Sequence, residues 1–115
     1  KGAYIKSPLE PIAKTRRFIE NANEDVTFHH YVFGNSAAGL LAENVSKYKP
    51  VCLDRYHYST RISFEHILKK GNRIPDLPKE DLIIFLWADW NIIDDRLMKR
   101  GNRKVHENIN NLKNI

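Results

Sequence analysis

The sequence has few of the residues that mark several common classes of protein. Its only cysteine is Cys52, which excludes an internal disulfide and favours a reducing compartment. No His/Cys pattern has zinc-site spacing, and no Gly-x-Ser-x-Gly elbow of an α/β-hydrolase is present. The longest apolar run, residues 82–88, is too short to cross a bilayer, so we expect no membrane partner.

The residues that are present describe one small globular domain. The chain has 115 residues, of which 42% are hydrophobic and 29% are charged, a composition typical of folded proteins. Nineteen basic and fourteen acidic residues leave a net charge of +5, which favours an anionic partner. Because no helix carries a basic stripe with interleaved aromatic residues, a nucleotide is favoured over nucleic acid; duplex binding is kept as a third hypothesis.

The stretch from residue 51 to residue 60 organises the chain. Residues 51–53 are apolar, rich in β-formers and preceded by Pro50, which predicts a buried strand that includes Cys52. Asp54 and Arg55 then lie at the carboxyl end of this strand, where ligands bind in open α/β sheets. An acid and a base there can hold a metal ion and a phosphate side by side. The alternative is a simple ion pair at the end of a strand.

Hydrophobic patterns predict the remaining elements. The apolar run 82–87 indicates a strand buried on both faces, hence an α/β fold in which helices cover both faces of a parallel sheet. The other predicted elements are a weak strand over 3–6, a helix from 12 to 21, a helix capped by Asp25 or Thr27 and ending near Tyr48, a helix that starts at Ser59 or Thr60 and stops at Gly71, a helix from Asp89 to Gly101, and a last helix from Val105.

Two polar residues interrupt otherwise apolar helical stripes. Arg16 is either a phosphate contact or a long side chain at the edge of the core. Asn35 needs partners for its amide, and Gly34 beside it is unfavourable in a helix. Together they indicate the close approach of a ligand; the alternative is a kink whose polar groups are satisfied locally.

A second basic group lies near the end of the chain. Its members are Arg96, Lys99, Arg100, Arg103 and Lys104. Five cations in so short a segment could close over a polyphosphate. A solvated basic loop is the alternative.

The order of these motifs resembles the thymidylate kinase family, whose members are P-loop kinases of nucleoside monophosphates. The resemblance rests on Asp54-Arg55-Tyr56, on the segment 77–82 and on the segment 96–101, in that order. It is closest to the branch that includes the mitochondrial UMP-CMP kinases, on the residues 6–8, 33–35 and 54–60. It implies a P-loop nucleoside monophosphate kinase fold.

The resemblance also implies roles for particular residues. Asp54 would bind the Mg²⁺ that accompanies ATP, and Arg55 would clamp the acceptor phosphate. Phe33 would stack on the acceptor base, with Asn35 near its edge. The full set of implied substrate-binding residues is Lys6, Ser7, Arg16, Phe33, Asn35, Tyr56 and Ser59. The implied lid residues over the donor phosphates are Arg96, Arg100 and Arg103.

Two departures from the family pattern matter. Many thymidylate kinases carry an arginine four residues after the stacking phenylalanine, where this chain has Ala37. No Gly-x-x-x-x-Gly-Lys-Ser/Thr loop is present to cradle ATP phosphates. We therefore expect residues 1–115 to form a single partial kinase domain, without its amino-terminal P-loop unit and its carboxyl-terminal end.

The expected activity is transfer of the ATP γ-phosphate to dTMP or a related pyrimidine monophosphate. A UMP/CMP or dUMP/dCMP kinase is the alternative within the family, and a non-catalytic nucleotide-binding protein is the alternative from another class. The resemblance implies an intracellular protein, cytoplasmic or else mitochondrial. Because family members often dimerise through helices, the 28–45 helix is the expected dimer face.

Overall fold

The computed structural model describes residues 1–19, 21–67 and 74–101, which form a mixed α/β structure. Within the described residues, both strands lie in the first half of the chain. The elements are β1 (Ala3–Lys6), α1 (Glu10–Lys14), α2 (Arg16–Ile19), α3 (Glu24–Ser46), β2 (Val51–Asp54), α4 (His57–Arg61), a π-helical turn (Ile62–Ile67) and α5 (Trp90–Arg100).

β1 and β2 form a two-stranded parallel sheet, as the strand predictions for 3–6 and 51–53 indicated. The register pairs Ala3 with Val51 and Lys6 with Asp54. Since successive strand residues point to opposite faces, one face carries the buried Ile5 and the other carries the exposed Cys52. The prediction that Cys52 is buried is therefore wrong, because its strand position faces away from the packed side.

α3 is the helix that packs against both strands. It begins after Asn23, whose side-chain oxygen accepts a hydrogen bond from the Val26 backbone N–H at 3.0 Å. This N-cap satisfies one of the unpaired donors at the helix start. The predicted cap at Asp25 or Thr27 is wrong by two residues or more, because both residues already lie inside the helix.

A hydrophobic cluster joins α3 to the π-helical turn and to the segment after residue 73. Phe28, Phe64 and Ile74 are buried there, and the aromatic rings of Phe28 and Phe64 meet edge to face with centroids 5.1 Å apart. Edge-to-face contact is a favoured arrangement for aromatic pairs. Tyr31, Val32 and Leu77 pack around this cluster.

The predicted buried strand over 82–87 is not present. These residues have no regular secondary structure, and they are 59–88% exposed. A strand exists only when its backbone donors and acceptors pair with a neighbour, and within the described ranges the sheet consists of β1 and β2. The expected cover of helices on both faces is likewise not observed, because Tyr4 and Cys52 on the far face are exposed.

The shorter helices differ from prediction mainly at their boundaries. The helix expected from 12 to 21 is divided into α1 and α2 at Thr15, whose hydroxyl donates to the Ile12 carbonyl at 2.7 Å. Such a bond competes with continued helix. α4 begins at His57, two residues earlier than expected.

α5 begins after Asp89 and ends at Gly101, as predicted. Gly101 has a φ of 85°, a conformation that glycine adopts without cost. The helix stop at Gly71 and the helix from Val105 lie outside the described residues. Among the described helices, none combines the length and the apolar character needed to cross a membrane.

Removal of the α3 cap is expected to weaken the whole domain, because α3 contacts both strands. Asn23→Ala should lower the free energy of unfolding by about 1 kcal/mol, the usual cost of losing an N-cap side chain. Asn23→Asp keeps an acceptor oxygen and should unfold like the wild type. Urea unfolding followed by circular dichroism measures the free energy of unfolding of both variants. An equal loss of this free energy in the two variants would contradict the capping role.

Candidate functional site at the strand ends

The carboxyl ends of β1 and β2 lie side by side and form the centre of the candidate site. Lys6 is the register partner of Asp54, and the Ser7 backbone N–H donates to the Asp54 carbonyl at 3.0 Å. Parallel strand ends of this kind form the usual ligand edge of an open α/β sheet. The structure therefore brings Lys6 and Ser7 together with Asp54, which was predicted for the site from a distant part of the sequence.

Arg55 turns the chain sharply from β2 toward α4. Its φ is 63°, in the left-handed region that costs a non-glycine residue roughly 1–2 kcal/mol. Such backbone conformations persist only where the surroundings hold them, and they are frequent at ligand sites. The Arg55 side chain is exposed beside the half-buried Asp54.

A buried hydrogen-bond network connects the strand ends to two helices. The Ser7 hydroxyl donates to the Asn35 side-chain oxygen at 2.8 Å, and the Asn35 amide donates to the Thr60 hydroxyl at 2.7 Å. All three residues are at least 94% buried. The Ser7–Asn35–Thr60 network thus joins the end of β1, α3 and α4 around the predicted site, and Thr60 is a member that the sequence did not reveal.

Two glycines of α3 allow close contacts with the strand ends. A Cβ atom on Gly34 would lie 2.6 Å from the Cβ of Pro8, and one on Gly39 would lie 2.0 Å from the Tyr56 hydroxyl oxygen. Both distances are shorter than any normal contact. The Gly34-Asn35 pair was interpreted as the close approach of a ligand; in the structure Pro8 approaches Gly34, and the Asn35 amide is satisfied within the protein.

Two tyrosines attach the segment 74–80 to the start of α4. The buried Tyr56 donates its hydroxyl to the Pro78 carbonyl at 3.2 Å, and burial raises the pKa of Tyr56 to about 12. Tyr58 donates to a Glu80 carboxylate oxygen at 3.1 Å, and its pKa is raised, first by burial and then by this bond. These contacts brace the turn that contains Arg55; the predicted substrate residue Ser59 lies exposed on the same helix.

The Asp54 carboxylate has a partner that the sequence did not reveal. The hydroxyl of Tyr4 donates to Asp54 Oδ2, and this bond to the carboxylate is the main cause of the raised pKa of Tyr4. Alternation along β1 could have signalled the contact, since Tyr4 lies two residues before Lys6 and on the same face. Asp54 is thereby held at the open edge of the sheet.

The chemistry of Asp54 suits a magnesium ion that arrives with a phosphate ligand. Mg²⁺ is commonly held by one or two carboxylates together with phosphate oxygens and water. Within residues 1–19, 21–67 and 74–101, no three His, Cys, Asp or Glu side chains group into a metal site. A metal site built from three or more such side chains is therefore not found in these ranges.

The remaining predicted residues lie outside the buried network. Arg16 of α2 places its guanidinium carbon 6.0 Å from the centroid of the Tyr31 ring, and Phe33 of α3 is 64% exposed. Arg96 and Arg100 are exposed on α5, while Arg103 lies outside the described residues. Their proposed roles toward a nucleotide stay predictions.

Loss of the central amide of the network should be costly. Asn35→Ala leaves the buried hydroxyls of Ser7 and Thr60 without their partner, so we expect the free energy of unfolding to fall by about 2–3 kcal/mol. Asn44→Ala, on the exposed side of the same helix, is the matched control and should change it by less than about 0.5 kcal/mol. Urea unfolding compares the free energy of unfolding of Asn35→Ala and Asn44→Ala. A small loss of similar size in both variants would contradict the role of the network.

The domain should lose stability in mild acid. Burial lowers the pKa of His30 and of His57, so the folded state binds fewer protons than the unfolded state, whose histidines titrate near 6.5. The contribution of these histidines is therefore fully present above 6.5 and is lost as pH falls through their lower folded pKa values. Urea unfolding between about pH 7.5 and pH 5 should show a fall in the free energy of unfolding. This fall should be smaller in His57→Gln than in the exposed control His29→Gln.

Comparisons with protein-family models, with curated proteins and with solved structures found no match to this chain. The likeness to thymidylate kinases accordingly rests on the motifs quoted above and on their order along the chain.

Proposed function

We propose that the chain supplies the acceptor side of a thymidylate kinase-like enzyme, which transfers the ATP γ-phosphate to dTMP or a related pyrimidine monophosphate. The observation that carries the proposal is the meeting of Lys6, Ser7, Asn35, Asp54 and Arg55 at one edge of a parallel sheet. These residues come from three separate motifs of the family pattern. Their proximity supports a common role.

The reaction requires little covalent participation by the protein. An oxygen of the acceptor phosphate attacks the γ-phosphorus of ATP, the new O–P bond forms, and the bond from that phosphorus to the β–γ bridging oxygen breaks to release ADP. Catalysis is mainly positioning and charge stabilisation. Bound Mg²⁺ would neutralise part of the charge on the phosphates.

Each residue of the site has a physical role in this proposal. The exposed guanidinium of Arg55 can form paired hydrogen bonds to the acceptor phosphate, for which its fixed fork of N–H donors is suited. Asp54 provides a carboxylate oxygen to the metal. Phe33 offers an exposed ring on which a pyrimidine base can stack. Lys6 adds a positive charge beside Asp54 at the end of β1.

More distant cations extend the positive field around the site. A shallow depression beside α1 and α2 is lined by Lys14, Arg16 and Arg17, which together attract phosphate. Arg96 and Arg100 are exposed on α5 and would cover the donor phosphates.

The proposal also includes an intracellular location and a dimer formed through α3. The exposed Leu40 and Leu41 of α3 would be covered in this dimer.

The test is a phosphoryl-transfer assay on the natural polypeptide with dTMP, UMP, CMP and their deoxy forms as acceptors. Arg55→Gly should lower kcat by roughly 1,000-fold or more, the scale of losing an arginine that stabilises transferring phosphate. Glycine accepts a φ of 63° without strain, so this variant should fold at least as stably as the wild type. A loss of activity then cannot be ascribed to unfolding.

Arg61→Ala is the matched control. Arg61 lies on α4 and is exposed, and its Nε is 3.9 Å from Oε1 of Glu65, the distance of a weak surface ion pair. Its loss should therefore leave turnover unchanged. Transfer to none of the pyrimidine monophosphates, with monophosphate binding retained, would favour the non-catalytic nucleotide-binding alternative. Preference for UMP or CMP over dTMP would assign the chain to the other kinase specificity.

A further inference from the structure

The uncovered face of the two-stranded sheet carries a row of polar side chains that leads to the candidate site. In a parallel pair, register partners project to the same face, and so do residues two positions apart along a strand. Tyr4, Lys6, Cys52 and Asp54 therefore share one face, opposite the buried Ile5. Of these four, Tyr4 and Cys52 have no role in the function proposed above, and only Tyr4 bonds to a residue that does.

Tyr4 reaches diagonally across the strand pair to the residue at the end of β2. Its register partner is Cys52, yet its hydroxyl donates a hydrogen bond to Oδ2 of Asp54, two residues further along. Diagonal neighbours of this kind lie within reach of a long aromatic side chain. The Tyr4 side chain is 67% exposed, so packing does little to hold its ring. The bond to Asp54 is the specific interaction that the hydroxyl makes.

A hydrogen bond from a neutral donor to a carboxylate is charge-assisted and directional. It restricts the rotation of the Asp54 carboxyl group, because one of the two oxygens must stay near Tyr4. Among the described residues the bond from Tyr4 goes to Oδ2 alone, so the lone pairs of the other oxygen, Oδ1, can meet a cation or a water molecule. Without this restraint, a half-buried aspartate at a strand end would sample several rotamers.

We propose that Tyr4 is a positioning residue, which holds the Asp54 carboxylate in the orientation needed for phosphoryl transfer. This inference rests on the function proposed above. Tyr4 keeps its proton throughout and touches neither phosphate; it acts through Asp54 alone. The competing interpretation is that Tyr4 occupies the carboxylate and hinders a cation from binding.

The experiment compares Tyr4→Phe, Asp54→Asn and the double variant, with Tyr58→Phe as the matched control. Tyr58 is also exposed and also donates to a carboxylate, that of Glu80, but on the other side of the Arg55 turn. The first measurement is the urea midpoint of unfolding for all four variants, which requires no catalysis. The second is kcat, KM for the monophosphate, and the Mg²⁺ concentration that gives half-maximal rate.

A positioning role predicts a specific pattern. Tyr4→Phe should lower kcat several-fold, raise the Mg²⁺ requirement several-fold and leave KM for the monophosphate nearly unchanged. Once Asp54 is Asn, whose amide oxygen is a weaker acceptor than a carboxylate, Tyr4→Phe should change the urea midpoint by less than it does in the wild type. Tyr58→Phe should leave the Mg²⁺ requirement unchanged.

The contrary outcomes separate this inference from the proposed function. If Asp54→Asn abolishes transfer while Tyr4→Phe behaves like Tyr58→Phe, the kinase proposal stands and the role of Tyr4 is refuted. A lower Mg²⁺ requirement in Tyr4→Phe would also refute it, in favour of hindrance. If Asp54→Asn leaves transfer intact, the kinase proposal itself fails; the urea midpoints then still report whether the two side chains are coupled.

Discussion

The buried amide of Asn35 is the constraint on which the arrangement of the strand ends depends. Its oxygen and nitrogen are both satisfied, one by Ser7 after β1 and the other by Thr60 in α4. A buried amide that lost either partner would leave an unsatisfied polar group, which is unfavourable, so the two bonds favour this relative position of the three elements. The two close glycine contacts of α3 have the same effect, since Gly34 admits Pro8 and Gly39 admits Tyr56.

That packing gives the candidate site its geometry. With β1 and β2 in register, Lys6 lies beside Asp54, and the left-handed Arg55 turns the chain directly into α4. The bonds from Tyr56 to Pro78 and from Tyr58 to Glu80 brace the far side of the same turn. Structural bonds are thus concentrated beneath the residues proposed to meet a phosphate, while the charged groups of Lys6 and Arg55 stay exposed. This division is what a preorganised electrostatic site requires.

The far face of the sheet has a different character. Tyr4 and Cys52 are exposed there. The apolar segment 82–87, elsewhere in the chain, is also exposed, and a contiguous apolar segment of that kind marks an interaction surface or an aggregation liability. Residues 82–87 include β-branched and aromatic side chains, which favour β-strands. The predicted strand is nevertheless wrong, because a strand must pair with a neighbouring strand, and local sequence does not specify that neighbour.

Local pattern by itself determined the two strands, the presence of a long helix between them, and the end of α5 at Gly101, since periodicity and glycine stops act over a few residues. It also placed Asp54 and Arg55 at a strand end. Only the tertiary structure decided that Asn35 would be satisfied by Ser7 and Thr60, and that Tyr4 would bond to Asp54. These partners are 28, 25 and 50 residues apart in sequence. Contacts over such separations depend on how the strands and α3 pack, which no short-range pattern encodes.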